Sequence, residues 1–289
     1  MQKPLVAELL RRADEGNYAI GAFNFTDMTD IKAIVEAAEE EKAPVILLAN
    51  WQPIVDYIGI EYLKNIVETA KKFSSVPIVL QLDHGKDFRQ VITCIQYSFD
   101  SIMIDGSYLP YEENVALTKK VVEIAHGVGI GVEAELGRIG GVEEGIAAES
   151  RPVFTEPKIA KKFVEDTGVD ALAIAFGTAH GFYKDEPKLA FDILEKTNRL
   201  TDIPLVMHGG TGVPQESLKK SIILGINKVN IGTDLKVAYF NALKEGAIRH
   251  AEDMNLIEVL RAAKDKVKEI VKTKMRLLGA SGKMKGAFG

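Results

Sequence analysis

Residues 205–234 read LVMHGGTGVPQESLKKSIILGINKVNIGTD. Two short apolar runs, Leu205 to Gly210 and Lys228 to Thr233, each end in a small-residue turn that leads into a helix, and this is the beat of a βα unit. Working outward, the same beat recurs at Ala19 to Phe25, Val45 to Asn50, Ile78 to His84, Ser101 to Ser107, Gly129 to Gly137 and Ala171 to Thr178, giving eight candidate strands. Between them, Asp27 to Glu41, Glu112 to His126 and Pro157 to Thr167 carry apolar residues at three- and four-residue spacing with charges on the other face, as the outer helices of a barrel need. The pattern predicts an α/β fold, a (β/α)8 TIM barrel, as a single domain over residues 1–289. Helices at about Leu235 to His250 and Ile257 to Leu278 exceed the regular repeat by one, so an extra C-terminal helix is expected to cap the barrel or reach a neighbouring subunit. The stretch Arg138 to Glu156 is longer than an ordinary βα connection and is expected to form a mobile flap.

Composition narrows the function classes. A 46% hydrophobic, 27% charged chain has apolar material for one large core. A net charge of −5 argues against affinity for nucleic-acid phosphates. Cys94 is the single cysteine, so no internal disulfide forms. The charged N-terminus MQKPLVAELLRRADEG is neither a signal peptide nor a membrane span, and a cytoplasmic protein is expected.

Polar residues collect where the strands should end: Asn24, Asn50, Asp83, His84, Asp105, Glu135, His180, His208, Asn230 and Thr233. In a (β/α)8 barrel that is the catalytic face. Singly, each is also an ordinary turn or cap residue. Of five histidines, three stand before glycine in LDHG, TAHG and MHGG. Tight turns there point His84, His180 and His208 over the barrel mouth, and three neutral imidazoles make a zinc site with an open position. Three His-Gly pairs are equally what turn residues or neighbours of a phosphate site look like. His126 and His250 end helices and read as dipole partners, and Cys94 as packing. The turns HGGTGV and VNIGTDL follow strands seven and eight, the usual phosphate site of this architecture, where backbone N–H groups converge near helix N-termini.

With LDHG, SIMIDGS, VEAELGRIGG, GTAHG, HGGTGV and VNIGTDL in this order, the chain from Ala19 to Lys283 resembles the class II fructose- and tagatose-bisphosphate aldolases. GTAHG and the flap length resemble the tagatose-type branch. The resemblance implies Zn²⁺ on His84, His180 and His208, a second or displaced metal position at Asp105 and Glu135, and Asp83 as the acid/base at the C4 hydroxyl of the ketose. It also implies phosphate and dihydroxyacetone contacts from Gly181, Gly209, Gly210, Thr211, Asn230, Ile231, Gly232 and Thr233, with Asn24 and Asn50 beside the substrate. A monovalent cation, Na⁺ or K⁺, is implied near Gly181 and His208, as are a phosphosugar substrate, no nucleic acid or membrane partner, and a homodimer or homotetramer.

Two departures bear on substrate fit. Asn50 stands where the family usually has serine, and Gln81 where it often has histidine. More consequentially, the DPR element that supplies an arginine for the distal phosphate is replaced by Asn255, Leu256 and Ile257. Arg249, Arg261 and Arg276 are candidates to replace it, although solvated helix charge is the ordinary role of each. The missing element keeps open a lyase or epimerase for another phosphorylated or sulfonated sugar. A noncatalytic phosphosugar-binding subunit should have lost a metal ligand, and here all three histidines and Asp83 are present.

Overall fold

The computed structural model describes residues 4–143, 146–147, 152–183 and 185–284. All eight expected strands are there, paired in parallel into a closed barrel in which each lies beside its predecessor and the last beside the first. They are β1 (Ile20–Asn24), β2 (Val45–Asn50), β3 (Ile78–Gly85), β4 (Ser101–Ile104), β5 (Gly131–Leu136), β6 (Ala171–Ile174), β7 (Leu205–Met207) and β8 (Ile226–Ile231). Helices cover the outside of such strands and side chains fill the inside, which is why VILLA in β2 and IVL in β3 show no polar alternation.

Capping chemistry fixes where the helices begin. The Asp27 carboxylate accepts the Thr29 N–H at 2.6 Å ahead of helix Met28–Glu41, and Asp87 accepts that of Arg89 at 2.7 Å ahead of Phe88–Gln96. Helix Pro157–Thr167 has the expected bounds, with proline in its first turn and Gly168 left-handed at its end. Helix Leu5–Glu15 lies near the starts of β5 and β8: Val6 fills the space over Gly131, and Asn227 donates to Asp14 at 3.2 Å. It backs the end of the barrel opposite the catalytic face.

The extra C-terminal helix, Leu256–Leu277, packs laterally between Met28–Glu41 and Thr233–Arg249. Val259, Ala263, Val267, Val271 and Met275 form its buried stripe at four-residue spacing. Each larger member contributes on the order of 1.5–3 kcal/mol. Flanking pairs such as Lys268 with Glu40 at 3.0 Å and Lys272 with Glu40 at 2.7 Å fix the seating, though each half-exposed pair adds only ~0–1 kcal/mol. The helix seals the seam between the first and last barrel units, not the barrel's end.

Three expected strands stop early, among them β7, which ends at Met207 and not at Gly210. In β4 the ladder ends at Ile104, because the Asp105 N–H bonds Gly85 O at 2.9 Å and the Asp105 carboxylate accepts the Ser107 N–H at 3.0 Å, which starts a turn. β6 ends at Ile174, and the next extended residues, Ala179–His180, leave the barrel to pair with Gly140–Glu143 at the root of the expected flap. Gly140–Glu143 also pairs antiparallel with Ile146–Ala147. Residues 144–145 and 148–151 of the flap stretch lie outside the described residues.

Candidate active site

Inward-facing positions alternate along a strand, so β3, β5 and β8 each offer one polar group at the mouth and another one layer deeper. The deeper layer holds Gln81 of β3, Glu133 of β5 and Lys228 of β8, all buried. Glu133 Oε2 accepts from Lys228 Nζ at 2.7 Å and from Gln81 Nε2 at 2.9 Å. Two residues further on come Asp83, Glu135 and Asn230, the mouth layer.

Asp83 and His84 are adjacent, and in a regular strand they would face opposite ways. Pairing of β3 with β4 shifts register between Leu82 and Gly85, and His84 adopts a left-handed conformation with φ 46°. This bulge turns both side chains into the mouth. Such a backbone is uncommon outside glycine, although histidine is among the residues enriched there. At this first His-Gly pair the histidine itself, not the glycine after it, takes the positive φ; after His180 and His208 the glycines do, with φ 82° at Gly181 and 67° at Gly209.

The rings of His84, His180 and His208 stand nearly perpendicular to one another with centroids 4.7, 5.1 and 5.7 Å apart. One donor atom from each, together with a Glu135 carboxylate oxygen, lie within 4.8 Å of one another. Outer hydrogen bonds decide the tautomers. His84 Nδ1 is 3.2 Å from Asp105 Oδ2, and His208 Nε2 is 3.0 Å from Glu133 Oε1. Burial pushes the Asp105 carboxyl up, but the hydrogen bond and charge of His84 and the Ser107 donors outweigh it and hold it well below the usual range. At Glu133 burial is likewise outweighed, by the Lys228 ammonium and by His208. Both carboxylates are therefore ionised acceptors, each fixing the N–H of its imidazole. The remaining nitrogens, His84 Nε2 and His208 Nδ1, are 2.9 Å apart, close enough for one ion to be held by both. With a His180 nitrogen and a Glu135 oxygen in the same cluster, this donor set fits a metal ion.

Asp83 is held by three amides. Asn24 Nδ2 donates to Oδ2 at 2.8 Å, Asn50 Nδ2 to the same oxygen at 3.4 Å, and Asn230 Nδ2 to Oδ1 at 3.3 Å. Asn50 faces Asp83 because the two are register partners across β2 and β3. A cavity of about 90 Å³, open to solvent, lies above, lined by these four residues, His84, His180, Gly181, Gly209, Thr211, Gly232, Thr233 and Lys236. One side is thus carboxylate and imidazole. The other is the backbone of two glycine turns, the start of helix Thr233–Arg249 and one ammonium, a surface suited to phosphate.

The chain matches the family described as "Fructose-bisphosphate aldolase class-II" over residues 5–283. This chain belongs to that family. It is 41% identical to the fructose-bisphosphate aldolase of Geobacillus stearothermophilus over 281 residues, 96% of each chain. It is 40% identical to the fructose-bisphosphate aldolase of Staphylococcus aureus strain Mu50, covering 98% of this chain and 100% of that one. Among solved structures, the YdjI aldolase of Escherichia coli K12 superposes with a TM-score of 0.87 at 32% identity, covering 98% and 100%. As a class II aldolase the chain is a lyase, and its reaction class is aldol cleavage of a ketose bisphosphate.

Most of the expected residues converge in this aldolase. Asp105 stands behind His84 as its hydrogen-bond acceptor and lies outside the four-group cluster, whereas Glu135 is a member. Gly210 and Ile231 do not line the cavity: the Gly210 N–H bonds Asn230 O at 3.1 Å, and Ile231 is fully buried in β8. None of the candidate arginines lines it either. Arg261 pairs with Glu258 and Arg276 with Glu41, both on the outer surface. The ammonium at the mouth is instead Lys236, which sequence reading missed because it looks like any helix lysine. Glu133 and Lys228 were also missed, although a charge at an inward-facing position of a barrel strand is a signal for a buried pair. His126 and His250 bond Asp170 and Asp253 away from the site, and burial raises the Cys94 thiol to about 12, as a packing role requires.

Proposed function

We propose that this aldolase holds Zn²⁺ on His84, His180 and His208, with Glu135 at the same cluster, and splits a ketose 1,6-bisphosphate into dihydroxyacetone phosphate and an aldehyde. The observation that carries the metal site is the convergence of one nitrogen from each of the three imidazoles and a Glu135 oxygen within 4.8 Å of one another, with the outer nitrogens of His84 and His208 held by carboxylates. Imidazole nitrogens with one carboxylate suit zinc. When bound, the ion supplies Lewis-acid polarisation of the ketose carbonyl and stabilises the charge that cleavage leaves on that half. Asp83 takes the C4 hydroxyl proton as the C3–C4 bond breaks, the new aldehyde leaves, and the electron pair passes into the dihydroxyacetone phosphate half, whose C3 then takes up one proton from solvent while Asp83 gives its proton up to solvent. In condensation Asp83 returns the proton. Its three amide donors fix its direction. Asp105 and Glu133 orient His84 and His208.

The turns bearing Gly181, Gly209, Thr211, Gly232 and Thr233 receive the phosphate of the dihydroxyacetone half, with a Na⁺ or K⁺ beside Gly181 and His208. The names of the two curated relatives support fructose 1,6-bisphosphate as first substrate, with tagatose 1,6-bisphosphate its C4 epimer. With Leu256 and Ile257 in place of the usual arginine element, Lys236 is the one lysine or arginine lining the mouth among the described residues, so distal phosphate recognition is weaker than where that arginine is present. Phe240, Ile248, Met254, Leu256 and Ile257 are exposed apolar side chains on neighbouring elements, which supports a homo-oligomer joined through this face. Among the described residues no helix is long and apolar enough to cross a membrane, in keeping with a cytoplasmic setting.

The test is condensation of dihydroxyacetone phosphate with glyceraldehyde 3-phosphate and with glyceraldehyde, before and after chelation and after reloading with Zn²⁺. Product configuration at C4 distinguishes fructose from tagatose. Full turnover by metal-free protein would sink the proposal.

A further inference from the structure

The barrel ladder of β6 stops at Ile174, and His180 follows on an excursion outside the barrel. What positions that imidazole lies in the contacts of Tyr183, three residues on. Its hydroxyl accepts the Ala179 N–H at 2.8 Å and donates to the Gly209 carbonyl at 2.9 Å. Ala179 immediately precedes His180, and Gly209 immediately follows His208. One phenol therefore joins the backbones that carry two of the three imidazoles, using its donor and an acceptor lone pair together.

The segment between these anchors is gripped on both sides. A Cβ on Gly209, at φ 67°, would stand 2.2 Å from Ala179 O. On the other side, Gly140 and Gly141 pair with Ala179 and His180, and a Cβ on Gly141, at φ 106°, would stand 2.2 Å from His180 O. Only glycine permits either approach. The Tyr183 ring is seated against Gly212, where an added Cβ would come within 3.1 Å, so the hydroxyl is delivered to its place by a packed ring.

We propose that Tyr183 is a positioning residue whose hydroxyl sets the separation of His180 from His208 and thereby the shape of the metal site. This rests on the metal-site assignment above. The test compares wild type, Tyr183→Phe and His180→Ala, each stripped of metal, reloaded with Co²⁺ or Zn²⁺, and followed by metal competition and the visible Co²⁺ spectrum. Phenylalanine keeps the ring and removes only the strut. Tyr183→Phe is expected to keep the metal-free Tm, weaken metal binding by roughly 10-fold, within the 10–100-fold range typical of groups that orient ligands, and shift the Co²⁺ band. His180→Ala should lose far more affinity. Amide exchange of wild type supplies a second measurement, with the Ala179 N–H protected. If wild type binds Co²⁺ tightly and Tyr183→Phe matches it in affinity and spectrum, the strut is refuted while the metal site stands; an unprotected Ala179 amide refutes it as well. If wild type binds no metal, the site assignment falls and the strut with it.

Discussion

Replacing Glu133 with glutamine separates two duties of one buried carboxylate. Glu133 accepts from Lys228 at 2.7 Å, Gln81 at 2.9 Å and His208 Nε2 at 3.0 Å, with Lys228 and His208 fully buried. Glutamine leaves the Lys228 ammonium without a counter-charge, and breaking a buried pair from one side costs about 3–5 kcal/mol. At ~2–4 °C per kcal/mol for chains of this order, the Tm of metal-free protein should fall by roughly 6–20 °C. The amide oxygen can still accept from His208 but without the carboxylate's charge, so the imidazole becomes a weaker donor to metal and affinity should fall by about 10–100-fold. The double variant Glu133→Gln/Lys228→Met removes the stranded charge. Most of the stability should return while metal affinity stays low, because His208 still lacks its carboxylate. Thermal unfolding of metal-free protein and Zn²⁺ competition measure the two quantities separately. If Glu133→Gln leaves both unchanged, or if the double variant recovers metal affinity together with stability, the assigned role of Glu133 is wrong.

Asp83→Asn should keep its metal and lose turnover by ~10²–10⁴, the range for a positioned proton transfer; turnover within a few-fold of wild type in metal-replete protein would contradict the assignment. Lys236→Met should raise KM for phosphorylated substrate by roughly 10–100-fold, the equivalent of ~1.5–3 kcal/mol for a charge-assisted contact, while kcat/KM for an unphosphorylated aldehyde changes less; equal effects on both would remove Lys236 from phosphate recognition. Burial, and then the charge of nearby Asp27, raise the Asp30 carboxyl from 3.8 to about 6 despite the Thr26 N–H it accepts. Because the folded value is the higher one, the contribution of Asp30 to stability is greatest below pH 4, falls between about pH 4 and 6 and stays lower above. Ionisation costs the folded state on the order of 3 kcal/mol. The stability difference between Asp30→Asn and wild type, read from urea midpoints, should therefore grow across that interval and level off; a flat difference would show that Asp30 titrates normally.

The barrel was legible because strands covered on both sides must be apolar, so VILLA and IVL announce themselves, and because eight such runs alternate with helical spacing. Three histidines before glycines showed where the mouth lay. The register shift after Leu82 that lets Asp83 and His84 share the mouth was not legible, since it depends on pairing with β4 and not on local residue preference. His180 looked like the end of a barrel strand, yet its extended backbone pairs with the flap root, a partner distant in sequence. Asp105 resembled a ligand in its motif, and only three-dimensional placement shows it behind His84.

Closure of the sheet through β1 and β8 places Ile20 opposite Lys228. On a ribosome adding roughly 5–20 residues per second, the first strand emerges about 10–40 s before its last neighbour exists. Until then the nascent sheet has two bare edges, each able to template pairing with another chain. The sealing helix Leu256–Leu277 is made later still, and it packs against the helices of the first and last units. Truncation anywhere before it should thus yield aggregation in place of a smaller stable protein, and roughly the last eighth of synthesis decides whether the first strand is sealed in place.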